Sequence, residues 1–374
     1  MKRALCTLTQ KSVVALAQRR GPLLMTRALS SSTTTTPSKR WVEKITARVF
    51  CPEESDIGGN PVTIFAALPE GGSRNDDDDD DNDSPILPLS SKTQQTLAQT
   101  CQWESVMVSP QSSSNHNDNS DNVGLSFFMP TGQEVSFCAH AAMAGAIRVA
   151  QDLEQTTPLH CHMMQEENAT MPTATIHEDD CVTLSIPRAS FTKRPVEHTA
   201  LLYRVLRSHC GLSASDVVVH VDEKPSFCHA SVARPKTLVY VKDRSTLLET
   251  CRAPTDAAAF TRALKSLGGG TTGLYLYTVH DELDGTYVAR QFPIASGYPE
   301  DAATGIAAAA LVGALEKELP FIKVQQGQAM GQPSVLLVEN FQVLKTASAD
   351  ELIAEAKAIH ERVSNSVPQE TKQE

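Results

Sequence analysis

Two segments, "SFCAHAAMAGAIRV" (136–149) and "YPEDAATGIAAAALVGAL" (298–315), share the profile that decides the fold. Each opens with one or two titratable side chains and then runs almost wholly through small residues. Each follows a strand pattern stopped by a proline, "FFMP" (127–130) and "QFPI" (291–294), and then a short turn. Setting His140-Ala141-Ala142 against Thr304-Gly305-Ile306 overlays the two. A helix with Ala or Gly on nearly every face lets neighbouring backbone approach closely, so it can sit inside a close-fitting sheet or barrel. Two such helices imply two similar lobes. Their first turns would present free N–H groups and positive dipole ends. If both face one cleft, that cleft suits a small carboxylate-bearing ligand. Taken singly, each is equally well a core helix whose end meets water.

The flanking patterns repeat a plan. "EKITARVF" (43–50) alternates polar and apolar and predicts a strand, and "GGNPVTIFAAL" (58–68) predicts a second after its Gly-Gly-Asn-Pro corner. "LSSKTQQTLAQTCQ" (89–102) predicts a helix capped by Ser90 or Ser91. Strands follow at 103–110 and 124–130, then the first Ala-rich helix near 139–152, then two strands within 173–187. From Pro195 onward come a helix at 197–211, strands at 216–221 and 235–243, and a helix near 255–267. A hairpin over 273–293 carries an Asp284-Gly285 turn signal, and a strand at 333–340 follows the second Ala-rich helix. The reading is a first lobe over 43–190 and a second over 191–340, with 349–363 a last helix, 341–363 able to pack back on the first lobe, and 364–374 a tail. The tracts at 76–83, six of whose residues are consecutive Asp, and at 111–122 are polar insertions that bury nothing. Gly268, Gly270 and Gly273 match a dinucleotide-binding spacing, but a helix precedes them and a strand follows, the reverse of what that motif needs.

Charge is divided unevenly. Residues 1–42 hold eight basic side chains and no acidic one, whereas the rest holds 25 basic against 44 acidic. An acidic body without a basic stripe excludes the phosphate-backbone binding that nucleic acid requires. No run reaches the roughly 18 apolar residues of a membrane span. The acid-free front segment, rich in Ser, Thr and Leu, has the composition of a mitochondrial transit peptide, with a plastid one as alternative and a cytoplasmic protein if the segment is only a tail. Nine Cys are scattered without metal-ligand spacing, so no metal is expected.

Five blocks in order resemble the PhzF-like isomerase family of phenazine biosynthesis, related in fold to diaminopimelate epimerase. They are "GGNPVTIF", "WESVMV", "FFMPTGQEVSFCAHAAMAGA", "RQFPIASGYPEDAATGIAAAA" and "QQGQAMGQPSVLLV", spread over residues 43–345. The resemblance implies an α+β fold of two pseudo-symmetric lobes, each a curved mixed or antiparallel sheet or barrel wrapped round its Ala-rich helix. It implies catalytic roles for Glu104, His140 and Asp301, and substrate contacts at Asn60, Ala139, Ala141, Thr304, Gly305 and Ile306. It further implies a proton shift with no cofactor on a small carboxylate-bearing substrate, in a chain that can form a homodimer. Trp103, Ala139, Ile306 and Gln332 depart from the family pattern, where Ser, Gly, Ser and Arg stand. Those departures put the family's own substrate in question and favour, as an alternative, a catalytically quiet binding protein of the same fold. A two-thiol epimerase would need a Cys at each helix mouth, and Cys138 meets only Ala302 at the second.

Overall fold

The computed structural model describes residues 14–18, 26–31, 41–52, 58–67, 89–110, 123–152, 159–162, 173–176, 182–186, 191–218, 227–281, 285–294, 296–315 and 321–340. Strand β1 (Val14–Gln18) belongs to the larger of two sheets. The smaller sheet is β2 (Thr26–Ser31), β3 (Trp41–Val49), β4 (Asn60–Ala67), β5 (Ser105–Pro110), β6 (Val123–Phe128) and β7 (Glu134–Val135), in that spatial order. The larger sheet takes β8 (Leu159–His162), β9 (Thr173–Ile176), β10 (Val182–Ile186), β11 (Thr192–Pro195), β12 (Phe227–Ser231), β13 (Lys236–Tyr240), β14 (Gly273–Asp281), β15 (Thr286–Pro293), β16 (Phe321–Gln326) and β17 (Ser334–Asn340). Its order runs β11 to β17, then β1, then β10-β9-β8.

The two halves repeat one topology. β3 is antiparallel to β4, β4 parallel to β5, and β5 antiparallel to β6. β12, β13, β14 and β15 follow the same antiparallel, parallel, antiparallel sequence. Parallel neighbours need a crossover. Helix α1 (Ser91–Gln99) lies within the first crossover. Its N-cap Ser90 side chain accepts from the Thr93 N–H at 3.3 Å. The second half has its own crossover helix. After β6 and β7 comes α2 (Ala139–Asp152), which packs on β3 to β6, β9 and β10. The second half opens with α3 (Thr199–Val205), which continues as a wider turn over Leu206–Cys210 and ends at left-handed Gly211. Its crossover helix is α4 (Ala257–Lys265), capped by Asp256. After β15 comes α5 (Gly305–Leu315), packed on β12, β13, β17 and β1. Every residue from Gly305 to Gly313 is buried, so α5 has no polar face. One core joins both Ala-rich helices to both sheets, and a second lies among α3, α4 and the outer face of the β12–β15 ribbon.

Several expectations shift. The strand expected at 216–221 begins instead as a short 3-10 turn, Ala214–Asp216. Asp216 accepts from the Ser213 N–H at 2.8 Å and its hydroxyl at 2.7 Å, a local turn that competes with extended pairing. Val217 then bridges to Val241, the Val218 N–H donates to the Tyr240 carbonyl at 3.0 Å, and 219–226 lie outside the described residues. Residues 1–42, read as standing apart from the fold, supply β1, which pairs with β10 and β17, and β2, which pairs with β3. Through β1, strands β8 to β10 of the first-lobe range join the second-lobe sheet, so the sheet boundary does not follow the lobe boundary. The insertions at 76–83 and 111–122 and the segment 341–374 lie outside the described residues.

Candidate active site

The two halves meet at a cavity of about 140 Å³. The approach to β5 brings Glu104, and the first turn of α2 brings Cys138, Ala139 and His140. The second half contributes Arg234 and Lys236 at the start of β13, Gln291 from β15, Asp301, and Thr304, Gly305 and Ile306 at the mouth of α5. Two blocks far apart in sequence are clamped together behind it. The Gly59 N–H donates to the Pro333 carbonyl at 3.1 Å, and a Cβ at Gly58 would lie 1.9 Å from that oxygen. Only glycine fits there, at φ +110°.

Glu104 is 5 % exposed. Its backbone carbonyl accepts from the Thr63 N–H at 3.0 Å, which fixes the side chain's origin at the edge of the parallel pair. The Tyr298 hydroxyl donates to Oε1. The other oxygen, Oε2, is buried and has no hydrogen-bond partner, with His140 Nε2 4.0 Å away. Burial raises the carboxyl's pKa, and the Tyr298 hydrogen bond and the Arg234 and Lys236 charges pull partly the other way. Trp103 packs against the Tyr298 ring at a centroid distance of 6.4 Å. The residue that departs from the family's Ser thus buttresses the tyrosine that holds Glu104.

His140 is held neutral, its pKa lowered to about 4 chiefly by burial, with Asp301 opposing that shift. Its Nδ1 lies 3.5 Å from Cys138 Sγ. The Cys138 thiol is pushed up to about 12 by burial and by Glu104, so it stays protonated and can donate to Nδ1. That network assigns the imidazole proton to Nε2, on the Glu104 side. A thiol held this way is no base, which removes the two-thiol alternative together with Ala302 at the other mouth.

Asp301 is fixed at every oxygen. Oδ1 accepts from Asn60 Nδ2 at 2.8 Å, Oδ2 accepts from the Thr304 hydroxyl at 2.5 Å, and the backbone carbonyl accepts from Gln326 Nε2 at 2.8 Å. Burial and the neighbouring Glu104 raise it to about 6. Glu300, its partner in the acidic pair, turns away. It receives a bidentate Arg290 guanidinium at 2.8 and 2.7 Å, fully inside the protein. The acidic pair thus splits into a site group and a structural one.

Glu104, His140 and Asp301, read from sequence as catalytic, come together at this cavity, and Ala139, Thr304, Gly305 and Ile306 line it. Asn60 stands behind Asp301 instead. Its amide hydrogens go to Asp301 and to the Ala303 carbonyl at 2.7 Å, so it orients the carboxylate. Ala141 is wholly buried in the core and does not line the cavity. Tyr298, Arg234, Lys236 and Gln291 went unread. Lys236 carried a usable signal, since a lysine within "PKTLVYV" puts a charge into an otherwise apolar strand. Among the described residues no group of three or more His, Cys, Asp or Glu side chains is arranged to hold a metal.

Residues 54–357 match the model of the PhzC-PhzF family, described as phenazine biosynthesis-like protein. No curated protein matches the chain. Among solved structures, a PhzF-family phenazine biosynthesis protein of Bacillus anthracis superposes with a TM-score of 0.55 at 16% identity, over 79% of this chain and 96% of that one. A "predicted epimerase" of Pseudomonas aeruginosa superposes with a TM-score of 0.53 at 19% identity, over 81% of this chain and 96% of that one. At such identities the likeness is one of fold.

Proposed function

Because the chain belongs to the PhzC-PhzF family of phenazine biosynthesis-like proteins, we propose that it is a cofactor-independent isomerase shifting a proton on a small carboxylate-bearing metabolite. The observation that carries this reading is the asymmetry of Glu104. One oxygen is anchored by Tyr298 and the other is buried, unpartnered and beside the cavity. A carboxylate shielded from water has its pKa raised toward the working range, where it can accept a proton and return it. Oε2 takes the proton from one substrate carbon and delivers it to another. Neutral His140, with its hydrogen on Nε2, donates toward the negative charge that develops between the two transfers. The unpaired N–H groups in the first turn of α5, at Gly305 and Ile306, suit the substrate carboxylate. Asp301 lacks a free oxygen, so it holds the α5 mouth and sets the local field; Glu104 is the group that moves the proton.

Ile306 favours a second reading, a quiet binding protein, because it lines the cavity with an alkyl group where the family carries a hydroxyl. One experiment separates the two. Small carboxylates that raise the melting temperature are incubated with the protein in heavy water and followed by proton NMR. The isomerase washes deuterium into a carbon position of its substrate. Glu104→Gln should still bind and should lose exchange by the roughly 10²–10⁴-fold typical of an acid–base group. Exchange at wild-type rate in that variant removes Glu104 as the base. Stabilising ligands with no exchange in the wild type favour the quiet protein.

A further inference from the structure

Two cationic side chains line the cavity together with the carboxyl groups of Glu104 and Asp301. Lys236 is 4 % exposed and lines the cavity, and among the described residues its ammonium has no hydrogen-bond or ion-pair partner. Arg234, two residues earlier, also lines it, and its Nε is buried without a partner. Gln291 is wholly buried on the same wall, and neither its amide nitrogen nor its oxygen is hydrogen-bonded. Gln291 is held close to Gly273, where a Cβ would lie 2.1 Å from Nε2. Buried polar groups are normally satisfied, and a buried unpaired charge is costly. Here three side chains in one wall are left open together.

Counting donors gives the class of ligand. An arginine and a lysine offer about eight N–H groups between them, whereas a carboxylate offers about four lone-pair sites. One carboxylate cannot satisfy this pair and the first-turn amides of α5 as well. The geometry points to a second anion subsite formed by Arg234 and Lys236, so that the substrate is a small dicarboxylate, held at one end by the α5 amides and at the other by the two cations. Gln291, with a donor and an acceptor free, reads a polar substituent between them. This assignment rests on the isomerase reading of the same cleft and narrows its substrate class. It also explains why the site tolerates Ile306: a carboxylate anchored by a guanidinium and an ammonium at its far end needs no hydroxyl at the helix.

The test is a binding experiment, independent of turnover. Calorimetric titration of the full chain compares succinate and glutarate with butyrate, which carries only one carboxylate. The wild type should bind one of the dicarboxylates about 10- to 100-fold more tightly than butyrate, the range expected from one or two charge-assisted hydrogen bonds. Arg234→Gln and Lys236→Met should each remove most of that preference. Glu104→Gln should keep the preference even though exchange is lost, so the subsite and the proton-transfer reading fail separately. Melting of the unliganded variants guards against misfolding. Lys236→Met should melt no lower than the wild type, because it removes an unpaired buried charge, whereas a merely structural lysine would be missed. Equal affinity for the two classes, binding of neither, or dicarboxylate preference intact in both cation variants overturns the subsite.

Discussion

At the scale of single residues, the site separates groups that hold from a group that acts. Asp301 and Asn60 satisfy one another, whereas Glu104 keeps one oxygen open. Tyr298 tunes that oxygen's partner, since its hydroxyl hydrogen bond lowers the Glu104 pKa. Removing the bond in Tyr298→Phe raises it. A base must be ionised to accept a proton, so the acid limb of the rate profile should move to higher pH in the variant. Measuring exchange against pH checks this, and a limb that stays put or moves down would show that Tyr298 does not set the base. Glu104, His140 and Asp301 were legible because each lies within a dense local motif. Arg234, Lys236 and Gln291 were not, because they converge only when β13 and β15 come together in the lining of one cavity. Nothing adjacent in sequence announces that meeting.

At the scale of elements, patterning carried most of the fold. The span of α2 follows directly from its small-residue run, since such a helix can be surrounded on all sides. What patterning could not show was the strand register that leads Glu300 away from the cleft. Arg290 meets it there, with further hydrogen bonds from its Nη1 to the Leu247 carbonyl at 3.2 Å and the Cys251 carbonyl at 2.5 Å. This pair ties the β15 exit loop to the helical turn Thr246–Thr250 and its cap Cys251, ahead of α4. Removing one partner strands a buried charge, which typically costs about 3–5 kcal/mol. Glu300→Gln should therefore lower stability by an amount in that range in chemical denaturation. If instead it preserves stability and abolishes exchange, Glu300 belongs to the chemistry and not to the scaffold. At 216 the Ser213–Asp216 turn delays the expected strand by one residue, and extended pairing begins at Val217.

At the scale of the whole molecule, the open cleft bears on stability. Lys236 has its pKa lowered to about 7 by burial and by Arg234, against an ordinary value of 10.5. The folded chain then binds fewer protons than the unfolded one between these values, so stability rises with pH across that window. The cost is carried in full below about pH 7 and disappears toward 10.5. Lys236→Met should be more stable than the wild type near neutrality, and the gap between their unfolding free energies should close as pH climbs to 10. The difference isolates this group, because Cys138 and the buried tyrosines, raised in both proteins, oppose it equally above about pH 9. A gap that is constant with pH would show that Lys236 is charged throughout. The repeated order of antiparallel, parallel and antiparallel strands has a further consequence. Two separate copies of such a half would meet about a two-fold axis, and any side chain at the seam would face its own twin. Joined in one polypeptide, each copy mutates alone. One can keep a carboxylate while the other gathers cations, and the substrate then has a head and a tail to be told apart. Handedness toward a substrate is what a fused chain gains over a pair of identical ones.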